Sequence, residues 1–394
     1  NTQNARHDRK LKGAFVFEPK PGLYKDIIVF DYKSLYPTII ASHNISPGTV
    51  NCKCCEGKNK APIDMMDVWF CTKKKGFASG IIEDLITRRS RIKEILKEKY
   101  DVLLNARSWA MKDMANAFWG YMGFSAARWY SVECAESILG WARFYIHNVI
   151  DKATENGFKV LYSDTDSVFI GLGEKTQEDA VKFVEKINMD LPGVMELEYE
   201  GFYPSGIFVA TKSGEGGAKK KYALIDDKGK MKITGFETVR RNVSYIAKDV
   251  QKEVLTWILK EQNADSALAY VRKVIEDLKQ GKIPVEKVAI RTQLSKDIDD
   301  YDNIGPHVAA AQRMKSKGLI VGPGSMITYV VTKGKGRIRD KVKLPEEIQS
   351  SDYDADYYIT NQIIPGVEKI FAVLGIPKEE LLGKSSQSKL GSFI

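Results

Sequence analysis

The stretch KVLYSDTDSVFIGL at 159–172 sets the hardest condition on any fold, because two apolar arms flank an acidic centre. Arms of this kind on either side of Asp164-Thr165-Asp166 predict strand, tight turn, strand. Carboxylates held close on such a turn repel one another. A divalent cation offsets that cost, and Mg²⁺ takes one or two carboxylates together with substrate phosphates. An isolated DTD reads more readily as a solvated Asp-rich turn, but a second strand end changes the weighing. Residues 27–30 (IIVF) form a short apolar run that closes on Asp31, as in a buried strand tipped by a carboxylate.

Cations accompany these acids. Residues 81–99 (IIEDLITRRSRIKEILKEK) place Leu85, Ile92, Ile95 and Leu96 at helical spacing, with Arg and Lys crowding the other face. A second helical stretch runs from about Leu104 to Phe118, so the two predict a helical hairpin dense in cations on one side. Arg89 and Lys93 stand at i, i+4, and Lys112, Asn116 and Trp119 at i, i+4, i+7, so each set shares a helix face. A solvated face explains such cations by themselves. Two acidic strand ends beside a cationic helical face, however, are the equipment of phosphoryl transfer: metals neutralise developing charge while Lys and Arg hold the polyphosphate.

The rest of the chain predicts a helix over 133–156, a hairpin over 222–233 around Asp226-Asp227-Lys228-Gly229, and helix over 244–280. Residues 212–221 (KSGEGGAKKK) read as a flexible glycine loop ending in three lysines. The expected class is α+β, in several subdomains. The length of 394 residues suggests two to three domains. Lys and Arg total 60 against 51 Asp and Glu, a net +9 that fits a phosphate-backbone partner without requiring one. No apolar run approaches the ~18 residues of a membrane helix, and no signal-peptide pattern opens the chain. A soluble intracellular protein without membrane contact is expected. Of five cysteines, Cys52, Cys54, Cys55 and Cys71 cluster, apart from Cys134. Zinc is conceivable, although the usual two-residue gaps between ligand pairs are absent; free thiols, or one disulfide in a hyperthermophile, are the blander readings. The chain begins at Asn1 with no Met, thirty residues before its first strong motif, which suggests a trimmed or processed chain or one piece of a split protein.

Asp31-Tyr32-Lys33-Ser34-Leu35-Tyr36-Pro37 resembles motif A of family B DNA polymerases, Lys112 through Gly120 (KDMANAFWG) resembles motif B, and Tyr162 through Ser167 (YSDTDS) resembles motif C. The likeness continues through RWYSVECAES (128–137), ELEYEGFY (196–203), KKKYALID (219–226), GFETVRR (235–241), GPHVAAAQRM (305–314) and YDADYYITNQIIP (353–365). It covers nearly the whole chain and looks closest to archaeal, replicative members.

The resemblance implies a right-hand architecture: palm 1–78 and 127–217, with an antiparallel sheet, helical-hairpin fingers 79–126, mixed thumb 218–380 and a tail 381–394. It implies two Mg²⁺ ions, with Mn²⁺ a substitute, on Asp31 and Asp166, with Asp164 a less certain ligand. One ion would activate the primer 3′-hydroxyl and the other stabilise the leaving group as a deoxynucleotide is added. Ser34, Leu35 and Tyr36 would cradle the triphosphate, with the Tyr36 ring blocking a ribose 2′-hydroxyl. Arg89, Lys93 and Lys112 would grip phosphates, and Asn116 and Trp119 would line the nucleotide pocket. Lys219, Lys220, Lys221, Tyr222, Arg240 and Arg241 would touch primer–template duplex. Gln387, Leu390, Phe393 and Ile394 have the spacing of a sliding-clamp-binding peptide.

Departures stand beside the likeness. Trp119 replaces the usual motif B Tyr, and Asn242 replaces an Asp that often follows the two arginines. The glycine loop at 213–217 is long, and Cys55 and Cys71 fall near positions that carry a disulfide in some relatives, which makes a disulfide the better expectation than zinc. The amino-terminal and 3′–5′ exonuclease domains would precede motif A, and thirty residues cannot hold them. The chain is therefore expected to extend primers without proofreading, with the exonuclease half on a separate subunit or removed. The expected location is cytoplasmic and nucleoid-associated. A non-catalytic polymerase-like subunit is the rival reading, disfavoured by the retained Asp31, Asp166 and Lys112; a primase is disfavoured by Tyr36 at the sugar gate.

Overall fold

The computed structural model describes residues 11–64, 66–349 and 351–383. The chain divides into two compact units, Asn1–Glu18 with Asp26–Phe202, and Pro19–Lys25 with Tyr203–Ile394. Each mixes helices with antiparallel strand pairs, so the class is α+β.

In the first unit the apolar run before Asp31 belongs to β1 (Gly22–Tyr32). Ile27, Ile28, Val29 and Phe30 are all fully buried, which is why the run is continuous rather than alternating. The acidic hairpin forms as predicted from β2 (Lys159–Asp164) and β3 (Ser167–Gly171). Strand β3 pairs with both neighbours, and its Ser167 lies opposite Asp31 on one side and Asp164 on the other. Beyond β1 comes the start of β4 (Leu197–Ala210), where the Lys33 N–H donates to the Glu196 carbonyl at 3.0 Å.

Helices cover these strands. Ile28 and Phe30 share a core with Ile138, Ile146 and Val149 of the helix Val132–Glu155 and with Phe183 of the helix Gln177–Met189. The chain leaves β1 directly into α1 (Leu35–Ser42), and the predicted helical hairpin is α2 (Phe77–Glu98) and α3 (Val102–Gly123). Helix α3 starts where the Asp101 side chain accepts from the Leu104 N–H at 2.8 Å. The helices Val132–Glu155 and Gln177–Met189 are α4 and α5.

The second unit corrects two expectations. The lysines of 212–221 are not the tail of a loop: β5 (Gly217–Ile225) begins inside that segment and pairs with β6 (Met231–Thr234) around the predicted turn. The helical stretch 244–280 is two helices, α6 (Tyr245–Leu259) and α7 (Ala264–Lys279). Between them Gln262 adopts a left-handed conformation at φ 50°, and the Asn263 side chain accepts from the Ser266 N–H at 2.9 Å to start α7. Both helices carry apolar stripes, so periodicity ran on through the break. A small sheet in the order β7 (Ile290–Gln293), β8 (Met326–Val331), β9 (Val342–Lys343) completes the unit.

The Cys55–Cys71 disulfide implied by resemblance is also corrected. Their sulfurs stand 3.9 Å apart and all five cysteines are free, whereas a disulfide holds its sulfurs ~2.05 Å apart. Among the described residues no helix is long and apolar enough to cross a membrane.

Phe30 immediately precedes Asp31 on β1 and is fully buried. Phe30→Ala is expected to cost about 3–5 kcal/mol of stability from lost burial and the cavity left behind. Urea unfolding followed by tryptophan fluorescence checks this, since Trp69, Trp109, Trp119, Trp129 and Trp141 all lie in the first unit.

Candidate active site

Backbone pairing brings the two acidic strand ends together. The Tyr32 N–H donates to the Asp166 carbonyl at 2.9 Å, which ties the hairpin turn to the end of β1. The turn itself is tight: Thr165 is left-handed at φ 47°, the Asp166 N–H donates to the Asp164 carbonyl, and the Ser167 hydroxyl donates to that carbonyl at 3.2 Å. Asp31 and Asp166 consequently line one cleft of about 330 Å³. Asp164 does not line it; its Oδ1 accepts from the Thr165 hydroxyl at 3.1 Å.

The opposite wall is built from helix ends and helix faces. Ser34 is left-handed, at φ 53° and ψ 57°, and reverses the chain from β1 into α1. Ser34, Leu35 and Tyr36 therefore reach the cleft at a helix amino terminus, where unpaired N–H groups favour anions. Helix α2 adds Arg89 and Lys93, and α3 adds Lys112 and Asn116, as the two i, i+4 pairs predicted. The Arg89 Nε donates to the Ser108 carbonyl at 3.3 Å, which locks α2 to α3. Trp119 sits behind, its ring 5.5 Å from that of Tyr36 at 59°, and its indole N–H donates to the Ala135 carbonyl at 3.3 Å.

The electrostatics follow from crowding of like charge. Partial burial pulls Arg89 below its ordinary pKa. Lys93 is lowered by desolvation first and by the neighbouring Arg89 charge second. Burial also lowers Lys33, yet its bonds to Glu196 and Glu198 outweigh that and raise it overall. Burial, then the Asp166 charge, raises the Tyr36 phenol.

Sequence reasoning missed two charged members of the cleft, Lys33 and Glu198. The Lys33 ammonium lies 2.9 Å from Glu196 and 3.3 Å from Glu198. The signal was present: Glu198 and Glu200 alternate along β4, just after Glu196, and period-2 spacing puts them on one face. Oxygen donors from Asp31, Asp166 and Glu198 are hard ligands and suit Mg²⁺ or Mn²⁺ over softer ions.

The remaining predicted residues lie in the second unit or outside the described chain. On β5, Lys219 and Lys220 are exposed, while Tyr222 is buried with its ring 5.6 Å from Phe208. Lys221 is largely covered, 2.9 Å from Glu237 and over the Phe236 ring at 5.0 Å. Arg240 donates to the Gly235 carbonyl at 3.2 Å, and Arg241 donates to Gln293 Oε1 at 3.0 Å. Gln387, Leu390, Phe393 and Ile394 lie outside the described residues.

The family model described as DNA polymerase family B matches residues 1–374. A DNA polymerase from Thermococcus gorgonarius is 42% identical over 99% of this chain and 51% of its own length. DNA polymerase 1 from Pyrococcus abyssi is 43% identical over 98% of this chain and, again, 51% of itself. The solved structure of the family B DNA polymerase from the hyperthermophilic archaeon Pyrobaculum calidifontis is 33% identical, with a TM-score of 0.69 over 94% of this chain and 48% of that one. The chain thus spans about half the length of the relatives it matches.

The cationic wall should bind a bare polyphosphate. Arg89→Ala is expected to weaken tripolyphosphate binding at least about tenfold, about 1.4 kcal/mol, in isothermal titration calorimetry at neutral pH. Because the Lys93 pKa lies below that of an ordinary lysine, its charge is lost at lower pH than usual. Affinity should therefore begin to fall, as pH rises, before ordinary lysines titrate; an affinity flat up to that range would contradict the arrangement.

Proposed function

Since the chain belongs to DNA polymerase family B, we propose that it carries a DNA-directed DNA polymerase centre in which Asp31 and Asp166 serve deoxynucleotide addition to a primer. The single observation that carries this reading is one cleft. It joins both carboxylates to Arg89, Lys93, Lys112 and the start of α1. In the reaction the primer 3′-hydroxyl oxygen bonds to the α-phosphorus, the bond to the bridging oxygen of the β-phosphate breaks, and pyrophosphate leaves. Asp31 and Asp166 would hold two divalent ions, Mg²⁺ or in its place Mn²⁺, which supply charge neutralisation at the attacking and leaving oxygens.

This chain's own groups do the rest. Arg89, Lys93 and Lys112 receive the triphosphate, and the amino terminus of α1 at Ser34 and Leu35 adds oriented N–H donors. Asn116 faces the nucleotide from α3. Tyr36, held by the Trp119 indole, presents a rigid ring where the sugar would lie and excludes a 2′-hydroxyl by contact. Glu196 and Glu198 hold Lys33 at the cleft edge, while Asp164 stands behind the turn as an auxiliary carboxylate.

Within this proposal the hairpin in 79–126 acts as fingers, 1–78 and 127–217 as palm, and 218–380 as thumb. Lys219 and Lys220 offer exposed cations to duplex phosphates, with Lys221, Tyr222, Arg240 and Arg241 beside them in the same segment. A sliding clamp on the terminal peptide remains part of the proposal. Affinity for primer–template should fall steeply with salt, because phosphate contacts release counterions.

The test is primer extension by the chain on a labelled primer–template with Mg²⁺ and deoxynucleotides. Asp166→Ala is expected to lower the rate at least about 10³-fold, roughly 4 kcal/mol of barrier, while still binding the duplex. Tyr36→Val is expected to raise ribonucleotide incorporation by about 10–100-fold relative to deoxynucleotide. Undiminished extension by Asp166→Ala would remove the centre from this cleft, and duplex binding without extension by the unaltered chain would favour a non-catalytic module.

A further inference from the structure

The connection between α1 and α2 contains a feature that the polymerase reading does not use. We propose that Cys52, Cys54, Cys55 and Cys71 together bind one Zn²⁺ ion as a closed, structural site. One ligand atom from each lies within 4.8 Å of the others. The sulfur of Cys54 is 3.6 Å from that of Cys55 and 3.6 Å from that of Cys71, and Cys55 and Cys71 are 3.9 Å apart. A tetrahedron of thiolates with zinc–sulfur bonds of ~2.3 Å has edges of about 3.8 Å. The spacing is thus that of four sulfurs around one ion. It is nearly twice the ~2.05 Å of a disulfide, and a disulfide would use two of the four and strand the others. An iron–sulfur cluster holds thiolates farther apart, since inorganic sulfide and several irons stand between them.

The surroundings match bound thiolates. The Thr72 N–H and hydroxyl donate to the Cys55 sulfur at 3.4 and 3.3 Å, and the Lys74 N–H donates to the Cys71 sulfur at 3.3 Å. Such donors from outside the ligand set orient metal ligands and stabilise their charge. Four thiolates around Zn²⁺ leave a double negative charge, and residues 51–76 carry six lysines against three acids. Three of the ligands come from one short turn, Cys52 with the 3₁₀ segment Lys53–Cys55. The fourth arrives because Val50 bridges to Phe70 and Lys60 to Trp69, while the Trp69 indole donates to the Cys52 carbonyl at 3.0 Å. The two-residue gaps of familiar zinc motifs are absent because the fold, not the local sequence, completes the set.

Four ligands leave no open position, so the role is structural. Asn44 shows what the ion would brace. Its side-chain amide donates to the carbonyls of Cys71 and Lys74 at 2.7 and 2.8 Å, and its oxygen accepts from the Gly76 N–H at 2.8 Å and the Ser79 hydroxyl at 2.6 Å. Those last two residues begin α2, the helix that carries Arg89 and Lys93. The ion would pin the base of that helix to the end of α1.

The test uses the chain freed of any histidine tag, expressed with zinc in the medium and dialysed against metal-free buffer. Elemental analysis is expected to give about one zinc per chain, falling below about a tenth in Cys55→Ser and Cys71→Ser and unchanged in Cys134→Ala. Where a serine variant fails to fold, the unaltered chain decides the matter. Cobalt added to chelator-stripped protein should produce the thiolate-to-cobalt charge-transfer and tetrahedral absorption bands at one equivalent, and zinc should displace them and raise the melting temperature. Zinc far below one equivalent with no cobalt spectrum, a disulfide among the four by mass spectrometry, or iron with acid-labile sulfide would each overturn the proposal.

Discussion

Asp31 and Asp166 repel one another across the end of a sheet that neither can leave. Their strands are pinned by the burial of Ile28, Phe30, Val168 and Ile170, and the turn carrying Asp166 is tied to β1 through the Tyr32 N–H. Apolar burial thus supplies the free energy that holds the two like charges close. An unscreened acidic pair at that point is costly, and the cleft around it is arranged to offset the cost. Lys33, Arg89, Lys93 and Lys112 all reach it, together with the amino terminus of α1. The same charges that ease the carboxylates in the free protein suit a triphosphate carrying hard cations.

The cationic wall bears a cost in turn. Arg89 and Lys93 are both pulled below their ordinary pKa values, so each is held charged against partial desolvation. What keeps them there is helix packing, with Arg89 bonded across to α3 and the start of α2 stitched to α1 through Asn44. The four cysteines lie at the other end of that stitch, so the stability of the connection and the placement of the cleft's cations are one problem.

The second unit solves a similar problem by a different route. Glu237 is largely covered beside Lys221, and the Gln251 amide donates to its Oε2 at 2.7 Å. These bonds outweigh desolvation and lower the Glu237 pKa. Gln251 also accepts from the Thr238 N–H at 2.8 Å, so the Lys221 ammonium rests in a network rather than a lone ion pair. Replacing any one partner would leave a buried charge or amide unsatisfied.

Strand, turn and helix were legible in the order of residues: the apolar run into Asp31, the two arms around Asp164-Thr165-Asp166, and the i, i+4 cations of α2 and α3. Such features reflect backbone geometry repeating over a few residues, and a periodic side-chain pattern records it directly. The break between α6 and α7 escaped because a left-handed Gln262 leaves no mark in apolar periodicity. The lysines at 219–221 read as loop because a glycine-rich run gives no sign of where pairing with β6 begins. Which carboxylates share the cleft was settled only by long-range pairing: Asp166 rather than Asp164 turns into it, and Glu198 enters because β4 lies beside β1. The four thiols likewise meet only because Val50 and Phe70 pair across the intervening loop. Contacts between residues far apart in sequence depend on how the whole core packs, and no local period records them.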